Sequence, residues 1–146
     1  TPEQAIKALA TLPSSDGFNF VEEMAQGCVV ELLVAITNDP AHGIMLTVGA
    51  GGTLAELWQD TQHLMLPATA DQIDAALGRL RIAPLIDGYR GKPGAYRPAI
   101  IDQILKLQAC VATQTDGFVE IEINPLICTQ TEAVIADALW RQTYPE

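Results

Sequence analysis

The segment Val119–Leu126, with the sequence VEIEINPL, constrains the fold of this chain more than any other stretch. Its apolar and polar residues alternate, which predicts a β-strand with one buried face. Side chains repeat with a period of two along a strand, so Glu120, Glu122 and Asn124 share the polar face. Pro125 cannot donate a hydrogen bond to a neighbouring strand, and we expect it to mark a strand end or an edge strand.

Oxygen-bearing side chains at the end of this strand suit a magnesium site. Mg²⁺ prefers hard oxygen ligands and is usually held between one or two protein groups and the phosphates of a substrate. Asn124 offers such an oxygen, and Asp137 follows the next predicted strand. The same pattern also fits the solvated face of an edge strand, so both interpretations stay open at this point.

Composition excludes several classes of protein. The chain has 146 residues, enough for one domain with a hydrophobic core. Its net charge of −10 argues against nucleic-acid binding, which needs clustered Lys and Arg. A nucleotide remains compatible, because one Mg²⁺ ion and a few backbone amides can hold a triphosphate. We find no apolar run long enough to span a bilayer and no signal-peptide pattern, and we expect a cytoplasmic protein without a membrane partner.

The cysteines and the first residue add two expectations. Cys28, Cys110 and Cys128 are odd in number, widely spaced and set among apolar residues. We therefore expect buried free thiols rather than a metal site or a disulfide framework. The sequence begins at Thr1 without a Met, which we take to indicate a processed or cloned fragment.

The predicted elements run as strands, then helices, then strands. Strand patterns occupy residues 18–24, 28–37, 44–48, 54–66, 118–123, 126–129 and 133–135. Helical patterns occupy residues 2–11, 70–80 and 98–113, with a short helix or turn at 84–87 and a C-terminal helix after Asp137. Thr69 and Gln72 have the spacing of a capping box at the second of these helices. This order predicts an α+β fold with a mostly antiparallel sheet and flanking helices.

Two acidic residues near the first strands are candidates for chemistry. Glu31 lies inside an apolar strand, where a carboxylate needs a partner. A tight antiparallel turn would bring Glu22 close to Glu31. The two carboxylates could then act as a general acid and base, bind the hydroxyl groups of a sugar, or remain exposed charges at a strand edge.

A glycine run and a loop arginine are further candidates. The stretch Gly49–Gly52 fits either a tight surface turn or a loop beside a ligand. Arg90 lies in a glycine-rich loop, where a guanidinium could bind a phosphate or stay solvated.

Several motifs occur in an order that matches a known family. They are FVEEM at 20–24, VELLVA at 30–35, NDP at 38–40, HG at 42–43, VGAGGTLAE at 48–56, Asp60, PLIDGYRGKP at 84–93 and EINPL at 122–126. Together they resemble the nucleotide-binding half of NDP-forming (ADP-forming) acyl-CoA synthetases, the acetate–CoA ligase group, which is related to the β subunit of succinyl-CoA synthetase. The resemblance covers roughly residues 15 to 140.

The resemblance implies a fold and a set of roles. It implies that residues 1–146 form a single ATP-grasp fragment, the C-terminal subdomain, which would bind ATP and Mg²⁺. In the family the hinge contacts adenine, a carboxylate of the next strand binds the ribose, and two residues hold Mg²⁺. The matching nucleotide-binding residues are Glu22, Glu23, Met24, Ala25 and Glu31; the metal residues are Asn124, Asp137 and the adjacent Glu122; and Arg90 is a catalytic candidate.

The family's other parts have no match in this sequence. These are a phosphate-gripping Lys with a Gly-rich stretch, a phosphoryl-accepting His motif, and the CoA-binding and ligase domains. The resemblance implies a parent ligase that makes acyl-CoA from a carboxylic acid, CoA and ATP, with release of ADP and phosphate. We expect the fragment itself to be inactive, to bind nucleotide weakly at most, and to be able to self-associate as a homodimer through exposed apolar surface.

Two alternatives remain at this stage. Some relatives fuse this module to a protein acetyltransferase, where it would serve a regulatory or structural role. The chain could also be an interaction domain that binds no nucleotide. In that case Glu31, Asn124 and Asp137 should lie far apart.

Overall fold

The computed structural model describes residues 1–12, 22–52, 55–114 and 117–143, without the side chains of Glu56 and Leu57. The strands are β1 (Val30–Asp39), β2 (Gly43–Ala50), β3 (Thr61–Met65), β4 (Phe118–Cys128), β5 (Ala133–Ile135) and β6 (Ala138–Gln142). The helices are α1 (Pro2–Leu9), α2 (Ala55–Trp58), α3 (Ala70–Arg79), α4 (Ala83–Asp87) and α5 (Arg97–Ala112). Within these residues, every helix is too short or too polar to cross a membrane.

The six strands found in the described ranges belong to one sheet, in the order β3-β2-β1-β4-β5, with β6 also paired to β4. Strands β3, β2 and β1 form an antiparallel meander, and β1 then pairs with β4 from the other end of the chain. Strands β5 and β6 pair with successive halves of β4. Each of these pairings is antiparallel, which confirms the predicted α+β class and sheet type.

Alternation along the strands places the hydrophobic core on one face of the sheet. In β1 the side chains of Leu32, Val34 and Ile36 are buried, whereas Glu31 and Leu33 are only partly covered. Helices α3 and α5 cover the buried face, and burying each large aliphatic side chain stabilises the fold by about 1.5–3 kcal/mol. The residues of α3 and α5 in this core are Ile73, Ala76, Leu77, Ile100, Ile104, Leu107 and Val111.

The start of α3 confirms the predicted capping box. The backbone N–H of Gln72 donates to Thr69 Oγ1 at 3.3 Å, and the backbone N–H of Thr69 donates to Gln72 Oε1 at 2.8 Å. These bonds satisfy two N–H groups that a helix start would otherwise leave without partners. The helix begins where the local sequence predicts it, because this signal is entirely local.

Strand β4 corrects two expectations about the VEIEINPL segment. The predicted strands 118–123 and 126–129 are one continuous strand, Phe118–Cys128. The pairing with β1 shifts by one residue, so that Asn124 and Pro125 together lie opposite Leu33. Pro125 therefore lies inside the sheet and not at a strand end or an edge, because a β-bulge releases it from donating to the ladder.

The C-terminal helix predicted after Asp137 is wrong. Residues 138–142 form β6, which pairs with the first half of β4. The Trp140 ring packs on the Phe118 ring with centroids 5.1 Å apart, and the guanidinium of Arg141 forms a salt bridge with Glu120. Cross-strand pairs of this kind stabilise a strand that the local sequence does not predict.

Two further element predictions need correction. The strand predicted over 54–66 is the short helix α2 followed by β3. Gly49 and Ala50 belong to β2, so that only the second half of the Gly49–Gly52 run leaves the strand. Propensity over a short mixed segment did not separate a helical turn from a strand.

The predicted strand at 18–24 is not found in its described part. Residues 13–21 lie outside the described residues, and residues 22–24 form no strand. The antiparallel turn that would pair Glu22 with Glu31 is therefore wrong, and the meander begins one strand later, at β1. Residues 22–29 instead lead directly into β1. Just before β1 begins, the backbone N–H of Val29 donates to the Cys128 carbonyl at 2.8 Å.

The three cysteines are free thiols, as expected, but their burial differs from the prediction. Cys128 is buried, whereas Cys28 and Cys110 are exposed. Cys28 precedes β1 and Cys110 lies in the last turns of α5, so neither is covered by the core.

A buried carboxylate fixes the connection between α3 and α4. Asp60 is 6% exposed, and its two carboxylate oxygens accept the backbone N–H groups of Arg81 at 2.9 Å and Ile82 at 3.0 Å. The Asp60 carbonyl also accepts the N–H of Ala50 at 3.0 Å. Through its backbone carbonyl and its carboxylate together, Asp60 thus ties the end of β2 to the start of α4.

We predict that Asp60→Asn lowers the free energy of unfolding by about 1–3 kcal/mol, because one of the two N–H groups would face an NH₂ donor and lose its acceptor. Urea denaturation followed by circular dichroism measures this change. Asp102→Asn is the control, since Asp102 forms an exposed salt bridge with Lys106 at 2.6 Å that contributes little. Equal effects of the two substitutions would contradict the role given to Asp60.

Candidate functional site

The face of the sheet opposite the helices carries the candidate site. Glu31 pairs across the sheet with Ile127, and Ile127 pairs with Val134. Directly paired residues point to the same side of a sheet, so these three side chains form one row on the face that no helix of the described residues covers. Glu122 lies on the same face, further along β4, opposite Ala35.

The β-bulge brings Asn124 opposite Asp137. Strand β4 pairs with β5 on one side of the Asn124–Pro125 bulge and with β6 on the other. Between these pairings the backbone N–H of Ala136 donates to the Pro125 carbonyl at 3.1 Å. The chain therefore crosses the bulge at residues 136–137, which makes the exposed Asp137 a neighbour of Asn124 across the strands.

Gly52 connects Asn124 with Glu31. Its backbone N–H donates to Asn124 Oδ1 at 3.1 Å. Its Cα lies against the Glu31 carboxylate, so closely that a Cβ at this position would overlap Oε2 and stand 3.0 Å from Cδ. The preceding N–H, of Gly51, donates to the Glu31 carbonyl at 2.9 Å. Glu31 and Asn124, which are far apart in the sequence, thus both contact Gly52.

The segment Glu22–Ala25 borders the same face. With Ile127 and residues 134–136 it lines a groove of about 460 Å³. Glu22, Glu23 and Met24 are exposed and Ala25 is partly covered. Because Ile127 is also the cross-strand partner of Glu31, the groove and Glu31 are adjacent.

Arg90 lies in a different, adjoining groove. This groove of about 210 Å³ is also lined by Tyr89, Lys92 and Pro93. It shares Val29 and Leu85 with a third groove of about 280 Å³ that contains Glu31, Gly51 and Trp58. The Arg90 guanidinium stands 5.3 Å from the Tyr89 ring centroid, and its own φ of 50° fits the glycine-rich loop. The structure therefore places Arg90 near Glu31's groove but not at the Asn124–Asp137 pair.

The donor set at the bulge fits magnesium. Asn124 offers a carboxamide oxygen and Asp137 a carboxylate, whose Oδ1 also accepts the N–H of Ala138 at 2.8 Å. In the part of the chain that the structure describes, no three His, Cys, Asp or Glu side chains form a metal cage. One carboxylate and one neutral oxygen, completed by water and phosphate, is a usual arrangement for Mg²⁺.

Sequence reasoning missed two features of this region. The glycine run was recognised, but the hydrogen bond from Gly52 to Asn124 depends on a contact between residues 72 positions apart. The ordered motifs include Asp60 without giving it a role, although an acid between a short helix and a strand could have suggested a buried acceptor of backbone N–H groups.

The thiol of Cys28 reports on the position of Glu31. Partial burial raises the pKa of the Cys28 thiol, although the residue as a whole is exposed, and the nearby Glu31 carboxylate raises this pKa further. Burial also raises the pKa of the Cys128 thiol, to about 12, with a smaller effect from Cys28. Because the thiolate is the reactive form, both thiols should react slowly at mildly alkaline pH.

We predict that iodoacetamide at pH 8 alkylates the exposed Cys110 first, Cys28 more slowly and Cys128 last. Glu31→Gln should speed the alkylation of Cys28, because one of the two causes of its raised pKa is removed. Peptide mass spectrometry measures each rate, and Cys110 in the same sample is the internal control. An unchanged Cys28 rate in the variant would show that the carboxylate does not act on this thiol.

Comparisons with known proteins find that the chain is similar to ADP-forming acetate–CoA ligases. It is 27% identical over 135 residues to acetate–CoA ligase [ADP-forming] II of Archaeoglobus fulgidus. The matched region covers 92% of this chain and 19% of that protein. It is 28% identical over 110 residues to the β subunit of acetate–CoA ligase [ADP-forming] II of Pyrococcus furiosus. This matched region covers 74% of this chain and 47% of that subunit. The chain thus spans less than half the length of these relatives.

Solved structures show the same fold. A dinucleotide-forming acetyl-coenzyme A synthetase of Ca. Korarchaeum cryptofilum, in complex with coenzyme A and Mg-AMPPCP, has a TM-score of 0.72 at 23% identity and covers 81% of this chain and 55% of that one. A protein from Pyrococcus horikoshii has a TM-score of 0.72 at 24% identity, and the match covers 82% of this chain and 52% of that one.

These relatives confirm the resemblance to ADP-forming acyl-CoA synthetases that the ordered motifs indicated. The family model of the ATP-grasp domain matches residues 4–141, nearly the whole sequence. The chain therefore belongs to the ATP-grasp domain family.

Proposed function

We propose that this chain forms one wall of the ATP- and magnesium-binding cleft of an ADP-forming acyl-CoA synthetase. The observation that carries the proposal is the convergence of Glu31 and Asn124 on Gly52, with Asp137 across the bulge. An interaction domain without a nucleotide would have no reason to gather these side chains on one uncovered face. The parent enzyme would join a carboxylic acid to CoA, and those substrates would bind to parts beyond this subdomain.

Each predicted residue has a role that its position supports. The exposed segment Glu22–Ala25 would contact adenine along the 460 Å³ groove, largely through its backbone. Glu31, whose cross-strand partner Ile127 lines this groove, would accept hydrogen bonds from the ribose hydroxyls. Asn124 and Asp137 would hold Mg²⁺, with Glu122 nearby on the same face.

The charge of this wall explains why a cation is needed. Its ionisable side chains include Glu22, Glu23, Glu31, Glu122 and Asp137, and the whole chain has a net charge of −10. A polyphosphate would be repelled by such a surface. When bound, Mg²⁺ would neutralise phosphate charge during phosphoryl transfer, while the protein aligns donor and acceptor.

The chain's own residues would contribute binding and orientation. The Gly52 N–H and the bulge hold Asn124 in place, and the β1 backbone holds Glu31. Arg90 would act from the adjoining groove, where its guanidinium could pair with a phosphoryl or carboxylate group. The phosphate-gripping Lys and the phosphoryl-accepting His expected of the family would come from another part of the parent protein.

We predict that the isolated chain binds Mg-ATP only weakly, because one wall supplies part of the contacts but the ligand loses its full translational freedom. Isothermal titration calorimetry with Mg-ATP measures this, and the expected dissociation constant is well above the micromolar range. Micromolar binding would mean that the chain contains a complete site, against its proposed place as one subdomain.

We predict that Mg-ATP at millimolar concentration shifts the backbone amide NMR signals around Glu31, Gly52, Asn124 and Asp137, and that ATP with EDTA does not. Asn124→Ala should weaken the Mg-dependent response by about tenfold or more, since a bond to a charged group contributes about 1.5–3 kcal/mol. Asp137→Asn should act in the same direction.

Asn38→Ala is the matched control for the carboxamide. Asn38 lies at the far end of β1, where its Nδ2 donates to the Phe118 carbonyl at 3.3 Å. This variant should retain the full Mg-dependent response. Shifts clustered away from the uncovered face, or equal losses in the Asn38 and Asn124 variants, would refute the proposed site.

A further inference from the structure

The corner at Gly51–Gly52 is built against the backbone of β1. A Cβ on Gly51 would stand 2.6 Å from the Leu32 carbonyl oxygen and 2.8 Å from the Leu33 nitrogen. Gly52 adopts a φ of 69°, in the left-handed region that favours glycine. A side chain at Gly51 would meet the backbone of β1, and one at Gly52 would have to displace the end of the Glu31 side chain, so the corner packs closely against β1.

This conformation determines how Asn124 is oriented. A backbone N–H can only donate, so the atom of the carboxamide that faces Gly52 must be Oδ1, and Nδ2 must point elsewhere. A carboxamide oxygen has two lone pairs. Gly52 occupies one, which leaves the other available to a cation, and the amide cannot flip without losing its bond.

The same glycine also sets the carboxylate of Glu31. Oε2 occupies the space that any side chain at position 52 would need. Glu31 is thereby packed against the Gly52 Cα, while the Gly51 N–H holds its backbone carbonyl at 2.9 Å. A shift of the corner would move both the carboxylate and the carboxamide.

We infer that Gly52 is a positioning residue that couples the ribose-binding Glu31 to the magnesium-binding Asn124. This inference rests on the proposed function for the roles of those two residues, but the coupling itself is a property of the free protein. Partner groups that orient a metal ligand typically contribute about 10-fold to 100-fold in affinity. Loss of the Gly52 geometry should therefore weaken Mg-nucleotide binding by that factor, without any change to a group that touches the ligand.

The test is Gly52→Ala, with Gly43→Ala as the matched control. Gly43 has a φ of 86°, so an alanine there has the same left-handed strain, but its Cβ would meet only the flexible end of Met65 at 4.0 Å. In the ligand-free chain, Gly52→Ala should displace the side-chain amide NMR signals of Asn124, and Gly43→Ala should leave them in place. With Mg-ATP, the first variant should lose the magnesium-dependent response and the second should keep it.

A double variant keeps the test decisive if Gly52→Ala fails to fold. In Glu31→Ala/Gly52→Ala the overlapping carboxylate is gone, so the Asn124 amide signals should return to those of Glu31→Ala alone. If Gly52→Ala displaces the Asn124 signals equally with and without the Glu31 carboxylate, or no more than Gly43→Ala does, the coupling is refuted. If instead the amide signals behave as expected but Mg-ATP shifts nothing in the unmodified chain, the coupling stands and the proposed function fails.

Discussion

The antiparallel pairing of β1 with β4 is the interaction on which the site depends. It joins strands that begin at Val30 and Phe118, and nothing local in either strand requires the other. Such long-range pairing is entropically costly to form and is repaid only by the core that it closes. Once it has formed, Leu33 of β1 faces the Asn124–Pro125 bulge, and Glu31 follows one row further along. The uncovered face obtains its chemistry as a consequence of a pairing that the core stabilises.

Core and site are built on alternate residues of the same strands. Leu32, Val34 and Ile36 point to the helix layer, while Glu31 points to the uncovered face. A register slip of one residue would bury the carboxylate and expose the core, at a cost of several large aliphatic side chains. The hydrophobic core therefore fixes the register of the polar groups more strongly than their own interactions could. The bulge adds a local exception: it shifts the pairing with β1 by one residue at Asn124–Pro125, while Ile123 and Leu126 on either side both remain in the core.

Local sequence signals predicted the features of this fold that depend on neighbouring residues. They did not predict the features that depend on long-range contacts. The capping box at Thr69 and the alternation of β4 are contained in a few consecutive residues, and both are present as predicted. Pro125 inside the sheet and the C-terminal strand β6 both depend on contacts with distant residues, and local reasoning placed them wrongly. The polar face of β4 was predictable from its period of two, whereas its meeting with Glu31 was suggested only by motifs that resemble a family. The part played by Gly52 requires the register, which no single segment contains.

Under the proposed function, the uncovered face would need a second wall opposite it. Apolar side chains such as Met24, Met65 and Leu139 are more than half exposed there, at 79%, 54% and 51%. Exposed apolar area beside a row of carboxylates is poorly suited to hold a hydrated anion by itself, because it offers neither counter-charge nor hydrogen-bond donors. Arg90 and Lys92 line the adjoining groove, and neither lines the groove that contains Glu31 or the one along Glu22–Ala25. A polyphosphate over this wall would therefore depend on a divalent cation below it and on donors from the opposite side. Under the proposed function, this chain would recognise the metal and the sugar, and the part of the parent protein that faces it would bind the phosphates.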